Sequence, residues 1–239
     1  MPGPLILHIE TSTDICSVAL SQGDQQLSLL ESGQERSHAR LLNTLIRESM
    51  DRARLRLKDL DAVAVSKGPG SYTGLRIGVS TAKGLAYALE IPMLASGTLE
   101  NMASGILTHA FVKELASIHG EGLLLCPMLD ARRMEVYAAF FTCEGRTFRE
   151  VKADIITDDS YQDMLKSHHI CFFGNGADKC KPAISHPHAH FIEDIHPSAS
   201  SMIAPALKMY MAKKFEDVAY FEPFYLKDFI ATVPKKKVL

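Results

Sequence analysis

Tryptophan is missing from the 239 residues, and that absence decides nothing; other absences exclude whole classes of function. An excess of charge of one sign is missing: 26 Lys and Arg stand against 28 Asp and Glu, a formal net charge of −2. So balanced a chain sets up no global basic field to draw nucleic acid, and an RNA role needs a local patch or a partner. No apolar run approaches the roughly 20 residues that span a bilayer, so no membrane role is expected. The opening Met-Pro-Gly-Pro leads straight into an apolar stretch, without the basic and apolar regions of a signal peptide. Cys16, Cys126, Cys143, Cys171 and Cys180 form no Cys-x-x-Cys pair and are odd in number. They read as reduced, buried thiols of a cytoplasmic protein.

Catalytic signatures are equally scarce. A Walker loop needs Lys directly after its last glycine, to reach phosphate. Here Gly74 is followed by Leu75 and Arg76. Gly68 and Gly70 lack the third glycine of a dinucleotide fingerprint. Neither H-E-x-x-H nor G-x-S-x-G occurs.

What is present centres on residues 62–89. Ala62-Val-Ala-Val65 reads as a buried strand, and Gly68-Pro69-Gly70 as a turn. Ser71 or Thr73 caps the helix that follows, on which Leu75, Val79, Ala82, Ala86 and Leu89 recur at helical spacing. Gly74, Gly78 and Gly84 lie in the same helix, and each costs roughly 1 kcal/mol against Ala. Several together imply that another backbone comes close. The helix is therefore read as a close-packing surface.

The rest of the chain alternates strand and helix. Residues 5–9, 15–20 and 26–31 predict a three-stranded antiparallel meander. Residues 37–54 predict a helix capped by Ser37, with Leu41, Leu42, Leu45 and Ile46 on a broad apolar face. Residues 91–95 complete a βαβ crossover. Helical stretches 98–107 and 109–119 precede a second hairpin, residues 123–142. Beyond it, 158–166 predict a helix, 169–173 a strand and 198–215 a helix. His186, His188 and His190 flank Pro187 and read as solvated loop residues, not as a metal site. The terminal Pro234-Lys-Lys-Lys reads as a basic tail.

Particular residues now carry a resemblance. Ile6-Leu-His-Ile-Glu-Thr-Ser-Thr13, Ser37-His38 with Leu41-Leu42, and Gly68-Pro-Gly-Ser-Tyr-Thr-Gly-Leu-Arg-Ile-Gly78 resemble the signatures of the TsaB (YeaZ) family. Leu129-Asp-Ala-Arg132, Glu135-Val-Tyr137 and Glu222-Pro-Phe-Tyr-Leu226 resemble its weaker ones. The likeness is dense over residues 5–104 and sparse beyond. It implies an α/β protein of the actin-like ATPase (ribonuclease H-like) superfold with two related halves. They are expected at residues 1–104 and 105–216, with 217–239 packing back on the first.

The resemblance further implies a non-catalytic subunit in the formation of N6-threonylcarbamoyladenosine in tRNA. Its partners would be a TsaD-type transferase and a TsaE-type ATPase, with a homodimer when alone and tRNA met only through the complex. The transferase carries His-x-x-x-His; through Glu100 the corresponding residues here are Thr98 and Met102, which cannot make that metal site. The expected partner interface is Leu41, Leu42, Leu45, Ile46, Gly74, Leu75, Gly78, Val79 and Ala82. Replacing Gly78 or Ala82 with a larger residue would then abolish association and leave the fold intact. No cofactor is required, but the turns at Glu10, Thr11 and Thr13 and at Asp130 and Arg132 leave weak ATP or ADP binding open. The alternative is an ATPase or small-molecule kinase of the same fold acting alone.

Overall fold

The alternating apolar runs assemble into two five-stranded sheets in the computed structural model, which describes residues 2–33 and 38–227. The expected cap Ser37 and the basic tail fall outside those residues. The first sheet holds β1 (Leu5–Glu10), β2 (Cys16–Gln22), β3 (Gln25–Ser32), β4 (Ala62–Ser66) and β5 (Met93–Ser96), in the order β3-β2-β1-β4-β5. β1 pairs antiparallel with β2, and β2 with β3; β1–β4 and β4–β5 are parallel. The second sheet holds β6 (Leu123–Asp130), β7 (Glu135–Thr142), β8 (Thr147–Ile155), β9 (His169–Phe173) and β10 (Ala189–Ile192). Read from the other end, its order is β8-β7-β6-β9-β10, with the same orientations pair for pair. The two halves therefore share one topology with little sequence in common.

Both faces of each sheet are covered, which is why β1, β4 and β6 read as continuous apolar runs. On the first sheet, α1 (His38–Ala53) and α2 (Tyr72–Leu89) bury Leu42, Leu45, Ile46, Met50, Val79, Ala82 and Ala86 against Leu7, Ile9, Val18 and Val63. Each such aliphatic side chain contributes roughly 1.5–3 kcal/mol. The opposite face, with Ile6, Ala62, Ala64 and Leu94, receives the 3-10 turn Ala199–Met202 and α6 (Ile203–Met211). The second sheet receives α3 (Thr98–Ile106) and α4 (Ala110–His119) on one face. On the other lie α5 (Gln162–Ser167) and the 3-10 turn Asp178–Cys180.

The helices cross over between halves. α3, placed on the first side of the 104/105 division, packs on the second sheet, while residues 199–211 pack on the first. The chain from Glu216 onward then straps the first half: the Glu216 N–H donates to the Met93 carbonyl at 2.9 Å, and Val218 and Phe221 join the first core. The single helix expected over 198–215 is a 3-10 turn followed by a nine-residue α-helix. β8 was not foreseen, because only part of its burial alternates. His190 lies in a strand, not a loop, since Pro187 stops two residues short of β10. Among the described residues, no helix is long and apolar enough to cross a membrane.

Candidate functional site

In open α/β sheets a ligand meets the carboxyl ends of the parallel strands. In the first half those ends are unusually polar. Glu10 closes β1 and is fully enclosed; its Oε1 accepts the Ser12 N–H at 2.7 Å. Burial raises its carboxyl above the usual range, against the lowering pull of hydrogen bonds from Ser12 and Ser66. Ser66 ends β4 and shares a hydrogen bond of 2.7 Å with the Thr98 hydroxyl. Ser12 Oγ, Ser96 Oγ and both side-chain polar atoms of Asn101 are buried without a hydrogen-bond partner.

The turn after β1 is closed by the chain itself. Thr11 Oγ1 donates to the Gly74 carbonyl at 2.8 Å, and the Ser71 N–H donates to the Ser12 carbonyl at 2.6 Å. A Cβ on Gly74 would sit 2.1 Å from the Thr11 carbonyl oxygen, and one on Gly78 2.3 Å from Thr11 Oγ1. The close backbone approach read from these glycines exists, but within the chain. Ser71 is the helix cap, its hydroxyl accepting the Gly74 N–H at 3.3 Å.

The second half repeats the arrangement. The loop after β9 presses Gly176 on the backbone of Leu129 and Asp130, where an added Cβ would lie 2.8 Å away. Asp130 is already engaged: its Oδ1 accepts the Arg132 N–H at 2.8 Å and the Lys179 ammonium. Lys179 also donates to the carbonyls of Arg133 and Glu135, at 2.6 and 2.7 Å. Asn175, in the Gly-Asn-Gly stretch that ends β9, accepts the Asp130 N–H at 3.1 Å, whereas Lys179 carried no sequence signal. Among the described residues, no hydrogen bond or ion pair joins the Glu10–Thr13 turn to the Asp130–Arg132 turn. Two clefts, of about 280 and 340 Å3, open nearby, and none of Glu10, Thr11, Thr13, Asp130 and Arg132 lines either.

The positions aligned with a metal pair hold no imidazole. Thr98 is enclosed and hydrogen-bonded to Ser66. Met102 packs in the second core, where its Cε would meet any Cβ on Gly174 at 2.8 Å.

The expected partner interface needs correction. Leu42, Leu45, Ile46, Gly74, Leu75, Gly78, Val79 and Ala82 are all buried in this chain alone, and only Leu41 is half-exposed. An amphipathic face reads identically whether it meets its own sheet or another protein, and here the sheet takes it. The outward face of α2 instead shows Thr73, Arg76, Ser80, Gly84, Tyr87 and Ala88, with Arg40, Asn43, Thr44 and Arg47 outward on neighbouring α1. A Cβ on Gly84 would meet nothing within 4 Å.

The carboxyl-terminal strap borders this face. Tyr225 lies against Tyr72 with ring centroids 4.7 Å apart, and its hydroxyl accepts the Arg76 Nε–H at 3.1 Å. Lys83 donates to the carbonyls of Ala219 and Phe221, at 3.2 and 3.0 Å.

Comparison with known proteins agrees with this geometry. The family described as TsaD, tRNA N6-adenosine threonylcarbamoyltransferase, matches residues 32–235. The chain is 29% identical over 236 residues to the tRNA threonylcarbamoyladenosine biosynthesis protein TsaB of Escherichia coli, covering 95% of this chain and 96% of that protein. Against TsaB of Bacillus subtilis it is 29% identical over 194 residues, covering 80% and 76%. A tRNA N6-adenosine threonylcarbamoyltransferase of Bartonella bacilliformis is 44% identical, but over 75 residues, which cover 31% of this chain and 21% of that enzyme. YeaZ from Pseudomonas aeruginosa superposes with a TM-score of 0.78 at 24% identity, covering 93% of this chain and 100% of that one. An activator of 2-hydroxyisocaproyl-CoA dehydratase from Clostridium difficile, with bound ADPNP, superposes at 0.50 with 8% identity, covering 88% and 96%. Both structural likenesses are of fold, and with the duplicated sheet topology they make it the actin-like ATPase superfold. The match over residues 32–235 means that the chain belongs to the TsaD family, within which it is similar over nearly its whole length to TsaB of Escherichia coli.

Proposed function

We propose that this chain serves tRNA N6-threonylcarbamoyladenosine formation as a non-catalytic subunit, paired in the cytoplasm with a TsaD-type transferase. One observation carries the reading: Thr98 and Met102 stand where the transferase has its paired imidazoles, one tied to Ser66 and the other packed in the core. Neither side chain is an adequate ligand for a borderline metal. Similarity to TsaB of Escherichia coli over 95% of this chain, against 31% for the transferase of Bartonella bacilliformis, supports the same assignment.

The pairing surface is the outward face of α1 and α2, where Ser80, Gly84 and Ala88 let a second helix pair approach closely and the exposed Tyr87 offers apolar area beside them. Through that contact the chain holds the catalytic subunit in its active shape, which requires tighter binding to that shape than to the inactive one. A TsaE-type ATPase joins the pair, tRNA is met through the complex, and the chain alone forms a homodimer by the same face.

The chain needs no cofactor of its own for this role. A second reading, weak ATP or ADP binding at the inter-turn site, is favoured by the ADPNP-bound fold neighbour. Its difficulty is the glycine loops that occupy both turns. The test is an omission assay with tRNA, threonine, bicarbonate, ATP and the partner proteins, counting modified adenosine. Modification is expected to collapse without this chain, and the chain alone to modify nothing. Unchanged modification without it, with ATP turnover by the isolated chain abolished in Glu10→Ala or Asp130→Ala, would instead establish the enzymatic alternative.

A further inference from the structure

Five of the ten histidines, His119, His169, His186, His188 and His190, gather at one corner of the second half, on elements far apart in sequence. β9 begins with His169 and β10 carries His190, paired opposite Cys171 in parallel register. Residues 169, 171 and 173 therefore share a face with 190 and 192, and that is the face α4 covers. α4 ends at His119, one turn beyond Leu115, so its imidazole lands on the same spot. The His119 and His169 rings stack with centroids 3.5 Å apart. His169 Nδ1 and His190 Nε2 lie 3.0 Å from each other. One nitrogen from each of His119, His169 and His190 falls within 4.8 Å of the other two, and all three side chains are half-buried.

We propose that His119, His169 and His190 form a site for one divalent transition-metal ion of the zinc class, clamping the end of α4 to the β9–β10 edge. Three imidazoles without a carboxylate suit zinc, nickel or copper and do not suit calcium or magnesium. Nitrogens at 2.0–2.1 Å from a tetrahedral zinc lie about 3.3 Å apart; the His169–His190 pair, at 3.0 Å, is close to that spacing, and a nitrogen of His119 lies within 4.8 Å of both. A neighbouring imidazole is set up in the same sense. His188 donates its Nδ1–H to the Leu165 carbonyl at 2.7 Å, which leaves its Nε2 lone pair free, and its ring lies 4.1 Å from that of His169. Such an outer hydrogen bond commonly fixes a ligand's tautomer. Burial, and then the proximity of the other imidazoles, lowers His169 from 6.5 to about 4, and His190 is lowered in the same way, the direction that favours the neutral, metal-binding form. The site is remote from Thr98 and Met102 in role: it ties a helix to a sheet edge, and it stands or falls independently of the function proposed above.

The test uses untagged full-length protein, stripped with a chelator. Cobalt(II) is titrated first, because a tetrahedral nitrogen-rich site gives visible absorption that a loosely bound hydrated ion lacks. Zinc is then followed by competition and by melting temperature. One ion per chain is expected, with visible cobalt absorption displaced by zinc and a melting temperature raised by zinc. His119→Ala, His169→Ala and His190→Ala should each weaken zinc binding roughly tenfold or more and remove the thermal shift, while exposed His196→Ala changes neither. Wild-type protein that shows no cobalt absorption, or a triple variant that binds zinc as the wild type does, overturns the site. The wild-type titration decides even if a variant fails to fold.

Discussion

Two ionisable side chains two positions apart on β1 are buried in opposite senses. Burial lowers the His8 imidazole from 6.5 to about 3, with Ser21 Oγ 2.8 Å from its Nε2, and raises the Glu10 carboxyl from 4.5. The histidine is native when neutral, so its contribution is present above pH 6.5 and is lost as pH falls toward 3. The glutamate is native when protonated, so its contribution is present below pH 4.5 and is lost as pH rises through its raised value. Glu10→Gln keeps an acceptor for the Ser12 N–H and removes the charge. Its melting temperature should match the wild type near pH 4.5 and exceed it progressively toward pH 8, in thermal scans across that range. A constant difference at every pH would show that the Glu10 carboxyl titrates in the folded chain as it does in the unfolded one, and so is not raised by burial.

Helix α2 presents two faces whose glycines have opposite meanings. Gly78 faces inward on Thr11, and Gly84 faces open space. Gly78→Leu therefore overpacks the core and disturbs the Thr11–Gly74 hydrogen bond, a loss of roughly 3 kcal/mol and some 6–12 °C in melting temperature. It is a stability mutant, contrary to the expectation that it would break association and spare the fold. Gly84→Arg should do the reverse. It removes a helix glycine worth roughly 1 kcal/mol, so the melting temperature holds or rises slightly. The new side chain should abolish pull-down of the transferase partner. Retained pull-down by folded Gly84→Arg would move the pairing surface elsewhere.

The strap is what binds the two halves to each other from outside. It enters beside Met93, feeds Val218 and Phe221 into the first core, accepts Lys83 and Arg76 from α2, and reaches the second half where Lys227 pairs with Glu135. Ending the chain after Lys214 removes two apolar anchors worth roughly 1.5–3 kcal/mol each. A drop of about 3–6 kcal/mol in denaturant unfolding is the expected result, on the same area argument. It should come with loss of partner binding, because Tyr225 and Arg76 border the outward face of α2. A truncated chain of unchanged stability would mean that the strap adds nothing to the first core.

Local pattern was enough for the elements whose partners lie nearby. The meander, the βαβ crossover, the Ser71 cap and the burial of Cys16, Cys126, Cys171 and Cys180, though not of half-buried Cys143, follow from apolar period, turn residues and capping chemistry, all of which act over a few residues. The glycines of α2 announced a close approach but not its partner, because a missing Cβ says only that something is near. Folding of Thr11 onto Gly74 and Gly78 made that approach internal, and so moved the free surface to Gly84. The same limit hid the engagement of Asp130 by Lys179, 49 residues away. It also hid the meeting of His119 and His169 with His190. Their nitrogens converge through the register of two parallel strands and the length of one helix, quantities that no stretch of sequence carries alone.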